Sequence, residues 1–301
     1  MLLRRKITGF TLIELLVVMS IIALLLSILM PALGRARETA MLQKDASRIR
    51  SIHSGWVTWS ASNNEIYPTP GLVNRNAWDQ GNGVQVQVKG RGPEDKFINT
   101  TDNVHSLCVI ENLYNTDALI CDNEPNPNVY VMENYDYDQR DIPEDVYWDN
   151  DFDVDLNGDG NNDQEGCHLS YASIPLIGER KPAQWKASGT SEFAILANRG
   201  PQFGSLEEFS MTYEIHGGGR TWNGNVCWQD NHMSYEETLF PEMSIYRTID
   251  GHVMDNIFNI DCVTGVCTLW GGDSFLTIVS ELEDAGEMFP YMLNPEMEWD
   301  E

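Results

Sequence analysis

The sequence predicts an α+β protein in which one long N-terminal helix precedes a head built on antiparallel strands. Two patterns predict the helix. An apolar run extends from residue 10 to 33, and apolar residues then recur at mixed steps of three and four from residue 33 to 59. Short strand-like segments separated by Gly- and Asn-rich turns predict the head. We therefore expect a basic leader over 1–9, a membrane helix over 10–33, an amphipathic stem over 34–63 and a head over 64–301.

The apolar run is long enough to cross a membrane. As a helix, its 24 residues would extend roughly 36 Å at about 1.5 Å per residue, against a hydrocarbon core of about 30 Å. Arg4, Arg5 and Lys6 precede it and favour a cytoplasmic N-terminus. The run is longer than the apolar part of an ordinary secretory signal, and no A-x-A sequence follows it. We expect a single pass through the inner membrane with the head outside the cytoplasm.

Glu14 is the only charged residue of this run. A carboxylate within a spanning helix costs about 2.5–3.5 kcal/mol when it is central, so such residues usually have a partner. Cleavage between Gly9 and Phe10 would create a cationic amine on Phe10. That amine could pair with Glu14 of the same chain, one helical turn away, or with Glu14 of a neighbouring subunit.

The segment Gly9-Phe10-Thr11-Leu12-Ile13-Glu14, after a basic leader and before an apolar helix, resembles the class III signal of type IV prepilins and type II secretion pseudopilins. The resemblance covers roughly residues 1–60 and implies a pilin-like fold. It also implies that prepilin peptidase cuts after Gly9 and N-methylates Phe10. Glu14 would then pair with the amine of an adjacent subunit during assembly. The family often has a proline where this chain has Pro31, which should disturb the helix.

The stem and the head have their own sequence signals. The stem pattern ends at about residue 63, before turn residues, and Trp56 and Trp59 are expected to pack in a core. A short helix is predicted over 104–114, and strands over 117–121, 168–174 and 192–198. Residues 224–235 predict a hairpin with Asp230-Asn231 at its turn. Residues 274–282 fit either a last strand or a helix.

Two head segments carry a looser resemblance to prepilin-like proteins of planctomycetes. "HGGGRTWNGNVCWQDNHMSY" resembles their H-G-G…N-V-x-x-x-D-G-H-V hairpin, and "ALICDNEP" resembles their F-x-C-P-x-D segment. Asn231 stands where that group usually has Gly, and Asp122 where it usually has Pro. This resemblance supports the fold class and implies no activity.

The charge of the chain excludes one class of partner. With 46 acidic and 19 basic residues, the formal net charge is −27. Nucleic-acid binding needs clustered Lys and Arg, so we predict no nucleic-acid partner. The composition suits a head outside the cytoplasm, or one that binds cations.

Six cysteines leave the disulfide question open. Export would permit disulfides, and the pairs closest in sequence are Cys108 with Cys121 and Cys262 with Cys267. Six cysteines allow 15 full connectivities. The alternative is that several of them are free, buried thiols that behave as small apolar residues.

An acidic loop over 153–166 predicts a calcium site. Oxygen side chains alternate along it, and Gly160 permits a sharp turn. A second alignment of the loop with a calcium-binding pattern begins at Asp153. The alternative without a metal is an acidic turn exposed to solvent. The predicted calcium ligands are Asp155, Asn157, Asp159, Asn161 and Asp163.

The sequence favours a structural function. We expect a prepilin-like subunit, not an enzyme: "HGGG" at 216–219 has no G-x-S-x-G partner, and no H-E-x-x-H zinc motif occurs. Its expected partners are prepilin peptidase and copies of itself or other pilins, first in the inner membrane and then in a periplasmic or surface filament. A type II secretion pseudopilin or minor tip subunit, and a tethered binding head that does not polymerise, remain alternatives.

Overall fold

The structure is a computed structural model, and it describes residues 11–79, 81, 83–86, 90–138, 147–157, 166–178, 180–206, 210–248, 251–260, 273–284 and 293–299. It forms two compact units, Met1–Lys44 and Asp45–Glu301. The second unit therefore begins inside the predicted stem.

One helix, α1, extends over Leu12–Ser60. This confirms the single helix predicted from about residue 10 to about residue 63. Pro31 lies inside α1, which continues through it, so the expected disturbance does not end the helix. Within the first unit, large apolar side chains from Leu12 to Leu33 are exposed on all sides of α1.

The second unit contains the other elements. Its helices are α2 (Pro70–Val73), α3 (Thr101–Ile110) and α4 (Arg180–Gln184). Its strands are β1 (Trp78–Asp79), β2 (Gln85–Val86), β3 (Tyr171–Ser173), β4 (Ala194–Asn198), β5 (Gly224–Trp228), β6 (Met233–Glu236), β7 (Ile245–Thr248), β8 (Gly251–Met254), β9 (Ile278–Asp284) and β10 (Leu293–Glu298). Three 3-10 turns lie at Thr116–Leu119, Gln202–Gly204 and Met211–Glu214.

A four-stranded antiparallel sheet in the order β3-β4-β5-β6 is the centre of the second unit. Strands β4 and β5 are buried at every position, the polar side chains of Asn198 and Asn225 included. The β1-β2, β7-β8 and β9-β10 pairs form separate two-stranded antiparallel ribbons. The α+β class is thereby confirmed, as are the strands predicted within 168–174 and 192–198 and the hairpin over 224–235.

The C-terminal part of α1 belongs to the core of the second unit. Ile49, Ile52 and Trp56 are fully buried, and Trp59 packs against the same core. The Trp56 ring lies 4.8 Å from that of Trp185, measured between centroids. This confirms the predicted core packing of both tryptophans. Each fully buried large apolar side chain contributes about 1.5–3 kcal/mol, so this segment is part of what stabilises the head.

Two local predictions need correction. Residues 117–121 were expected to form a strand, but Thr116–Leu119 is a 3-10 turn. The Asn115 side chain accepts a hydrogen bond from the Ala118 N–H at 3.2 Å, and this local bond favours a turn over an extended chain. Residues 274–282, left undecided between strand and helix, lead into strand β9, and β10 follows it.

Candidate assembly segment and a buried aspartate cluster

The first turn of α1 is closed by Thr11 and Glu14. The Thr11 N–H and hydroxyl donate to Glu14 Oε2 at 2.9 and 2.8 Å, and the Glu14 N–H donates to Thr11 Oγ1 at 3.3 Å. This reciprocal arrangement is a capping box, which satisfies N–H groups that a helix start otherwise leaves unpaired. The Thr-x-x-Glu spacing in the sequence is the usual signal of such a cap.

The capping box fixes where the Glu14 carboxylate lies. It is held at the N-terminal end of α1, where the helix dipole favours negative charge. Gly9 and Phe10 lie outside the described residues. Glu14 is thus positioned at the helix end that would carry a new amine, while the apolar surface beyond it is exposed.

Among the described residues, α1 is the one helix long and apolar enough to cross a membrane. Its most apolar 18-residue stretch has a mean hydropathy of 2.9, and none of that stretch is buried within the protein. A model of the prokaryotic N-terminal methylation motif matches residues 4–30. This chain carries a type IV prepilin-like signal.

The prepilin-like signal implies processing by prepilin peptidase and pilin-type assembly in general. The long apolar helix fits anchoring in a membrane. Comparison with curated proteins and with solved structures found no match. The planctomycete resemblance of the head therefore stays a prediction.

The structure brings together two of the five predicted calcium ligands. The Asn157 N–H donates to Asp155 Oδ1 at 2.9 Å, which is an Asx turn. Asp159, Asn161 and Asp163 lie outside the described residues, so the calcium site stays a prediction.

Cys108 and Cys121, one of the pairs for which the sequence left a disulfide open, are both free, buried thiols. Cys108 lies in α3 beside Trp56 and Tyr114, whereas Cys121 lies beside Asp45. Burial raises the pKa of Cys108 to about 12, so its thiol behaves as a small apolar group. Cys262 and Cys267 lie outside the described residues.

The carboxylate of Asp45 has four side-chain partners within the second unit. Its Oδ1 accepts a hydrogen bond from the Tyr171 hydroxyl at 2.8 Å. Its Oδ2 lies 2.9 Å from His216 Nε2 and accepts from the Asn198 and Asn225 side-chain amides at 3.0 and 2.8 Å. We call these five residues, with Cys121, the Asp45 cluster.

The Asp45 carboxylate is buried and charged at once. Burial alone would raise its pKa, but the hydrogen bond and charge of His216, with the Asn225 and Tyr171 donors, outweigh burial and lower the pKa. Burial, and then the negative charge of Asp45, raise the pKa of the Cys121 thiol. The cluster therefore holds one anion next to a protonated thiol and an imidazole.

Distant segments build the cluster. Tyr171 on β3 and Asn198 on β4 are paired directly across the sheet. Asn225 lies on the neighbouring strand β5, and its N–H donates to Asn198 Oδ1 at 2.7 Å. His216 follows the third 3-10 turn, and Gly217 beside it has no room for a side chain because a Cβ would approach the Tyr213 and Thr221 carbonyl oxygens to 2.6 Å.

A side chain of the stem helix α1 holds the segment that contains Cys121. Arg48 Nη1 lies 2.7 Å from the Asp122 carboxylate and also donates to the Ile120 carbonyl oxygen. Arg48 is three residues beyond Asp45 on α1, so the same part of the helix holds both sides of the cluster. The "ALICDNEP" and "HGGG" segments, singled out separately in the sequence, thus meet at Asp45.

The second unit also contains a cavity of about 650 Å³. Lys96, Lys181 and Lys186, three of the four lysines within 64–301, line it. Lys181 is paired with Glu94, and burial together with the charge of Arg75 lowers the pKa of Lys181 to about 8. Glu65 and Glu94 also line the cavity, so it holds three cationic and two anionic side chains on a head whose overall charge is strongly negative.

Proposed function

We propose that the chain is a structural subunit of a type IV pilus or a pseudopilus-like filament. The observation that carries this proposal is the prepilin-like signal on an unpaired apolar helix. Exposed apolar surface of this extent needs lipid or other helices to cover it. The same helix face would be covered by lipid before assembly and by neighbouring subunits afterwards.

Glu14 would set the register of the packed helices. After cleavage, the N-methylated amine of Phe10 in one subunit would face the Glu14 carboxylate of another. A low-dielectric surrounding strengthens their attraction and penalises either charge that is left alone. A subunit placed out of register would leave both charges unpaired, so the pair selects one axial position.

Arg4, Arg5 and Lys6 favour a cytoplasmic leader, which would place the head outside the cytoplasm and later on the filament surface. The head carries most of the chain's negative charge. Like charges on a filament surface would keep neighbouring filaments apart at low ionic strength.

The capping box makes a sharp test possible, because charge and helix capping can be separated. Glu14→Gln removes the charge but keeps a side chain that can cap at this position. Thr11→Ala removes the cap but keeps the charge. We expect Glu14→Gln to abolish filament assembly with normal membrane insertion and cleavage, and Thr11→Ala to assemble. Electron microscopy and N-terminal sequencing measure both outcomes.

The proposal is wrong if Glu14→Gln assembles as the wild type does. Retention of Met1 on the working protein would exclude processing and, with it, the ion pair. If only the Thr11→Ala variant fails to assemble, the capped end of the helix, and not the charge of Glu14, controls assembly.

We also propose calcium binding by the 155–163 loop, supported by the alternation of its oxygen side chains. Titration calorimetry should then show a dissociation constant of about 10⁻⁴–10⁻³ M, as in extracellular calcium modules. Asp159→Asn should remove the heat, and Asp117→Asn, outside the loop, should not. Absence of heat with the wild type rejects the site.

The lysine-lined cavity favours a second candidate function, a tethered head that binds a small anion with an apolar part. Its volume lies in the range of ligand pockets, and Ile66, Leu72 and Leu176 line it beside the lysines. Hexanoate should give saturable binding heat that Lys186→Gln weakens, whereas hexylamine, of equal length and opposite charge, should give none. Equal heats for both probes would contradict this candidate.

A further inference from the structure

Three potential metal ligands of different kinds converge in the Asp45 cluster. A carboxylate oxygen of Asp45, the Cys121 sulfur and a ring nitrogen of His216 all lie within 4.8 Å of one another. Asp45 and Cys121 are each 3 % exposed, and the His216 side chain is 1 % exposed. These groups come from a helix, from the segment after a 3-10 turn and from the "HGGG" loop. Folding alone brings them together.

We propose that Asp45, Cys121 and His216 bind a zinc-class divalent transition-metal ion. The ligand types decide the class of ion. Thiolate and imidazole suit zinc and its neighbours, whereas calcium and magnesium take oxygen ligands. This site is separate from the acidic loop over 153–166 and uses none of its residues.

Charge balance supports the assignment. A divalent ion bound by the Asp45 carboxylate, the Cys121 thiolate and neutral His216 forms a group with no net charge. A buried charge is costly unless it is paired. Tyr171, Asn198 and Asn225 donate to Asp45 as neutral groups, and His216 Nε2, at 2.9 Å, is the one neighbour among these that can carry a charge. On binding, the metal displaces the Cys121 thiol proton and any proton that His216 Nε2 shares with Asp45, and these protons pass to solvent.

The surrounding residues support the ligands as they do in known metal sites. Tyr171, Asn198 and Asn225 hold the Asp45 carboxylate in one orientation, and partners of this kind strengthen metal binding. Three protein ligands leave one tetrahedral position for a water or a neighbouring oxygen. Because the three ligands are buried, the metal would be structural. It would join the stem helix to the sheet and to the "HGGG" loop.

The test uses the full chain, purified in detergent and stripped with a chelator. We expect one zinc per chain after reconstitution, measured by elemental mass spectrometry. Cobalt(II) in place of zinc should give a thiolate-to-cobalt charge-transfer absorption. Cys121→Ser should abolish that absorption, and His216→Gln should weaken cobalt binding at least tenfold. Cys108→Ser removes a buried thiol outside the cluster and should leave both measurements unchanged.

Either of two results overturns the proposal: wild-type protein that takes up no stoichiometric zinc or cobalt, or a Cys121→Ser variant that keeps the charge-transfer absorption. Far-UV circular dichroism of the stripped variants establishes whether each is folded. Where His216→Gln does not fold, the isosteric Cys121→Ser decides alone. Where neither variant folds, the presence or absence of the absorption in the wild type decides.

Discussion

At the residue scale, Asn231 explains a departure from the looser family pattern. It adopts a left-handed conformation at the hairpin turn, with φ of 67°, as Gly would. Its side chain also reaches the stem, where Oδ1 lies 3.0 Å from His53 Nδ1 and Nδ2 donates to Ser54 Oγ at 3.3 Å. A glycine would make the turn, but it could not dock the hairpin on α1. Asn therefore serves two requirements at one position.

Asn231→Gly should destabilise the second unit by about 1–3 kcal/mol, because it leaves a buried His53 nitrogen without its partner. Asn231→Ala should cost roughly 1 kcal/mol more, since alanine disfavours the left-handed conformation. Denaturant unfolding measures both. Asn64→Gly is the matched control: Asn64 has φ of 55° and is exposed, so its replacement should change stability by a few tenths of a kcal/mol. Equal effects at both positions would refute the docking role.

At the element scale, helix α3 carries His105 and Asp102, whose shifted pKa values give opposite pH dependences. Burial lowers the pKa of His105 to about 3 and raises that of Asp102 to about 7. His105 Nδ1 is hydrogen-bonded to the Tyr114 hydroxyl at 2.9 Å. Below pH about 6.5 the unfolded chain protonates this histidine, while the folded chain does not. Its contribution therefore lowers stability as the pH falls from about 6.5 towards 3.

His105→Gln should make the decline of stability shallower across that window, by at most about 1.4 kcal/mol per pH unit. Asp102 acts in the opposite sense in both proteins, so it cancels in the comparison. Unfolding free energies at pH 7, 6, 5 and 4 measure the difference in slope. His232→Gln, at the partly exposed hairpin turn, serves as the control. Parallel curves for His105→Gln and the wild type would show that the buried ring does not control this slope.

Helices, strands and turns whose formation depends on residues close together in the sequence could be predicted. The three- and four-residue spacing identified the stem and the burial of Trp56, and the Asp-Asn turn identified the β5-β6 hairpin. The segment 117–121 was misjudged because a single side chain, Asn115, closes a turn on an otherwise strand-like sequence. Asp45 carried a signal that was not used: it occupies the position between Met41 and Ile49 where the apolar pattern expects an apolar residue.

At the scale of the whole molecule, the part of the stem from Asp45 onward cannot be separated from the head. Residues from Asp45 onward belong to the second unit, and Ile49, Ile52 and Trp56 form part of its core. The Asp45 partners Tyr171, Asn198 and Asn225 are 126 to 180 residues away in sequence. No local pattern encodes such separations, which is why the cluster could not be predicted.

A truncated protein that begins at Gly34 should fold, and one that begins at Glu65 should not. The shorter protein lacks three fully buried side chains, each contributing about 1.5–3 kcal/mol, and it lacks Asp45. The summed contribution of these side chains to the free energy of unfolding is comparable to the total stability of an ordinary domain, about 5–15 kcal/mol. Near-UV circular dichroism and cooperative unfolding distinguish the two outcomes. Cooperative unfolding of the Glu65 form would show that the head is autonomous.

The buried thiols of Cys108, Cys121 and Cys227 have a practical consequence. Their folded positions need no oxidant, so we expect the described core around these three residues to form under reducing conditions. Oxidising agents would disturb the packing of these thiols rather than help the protein to fold.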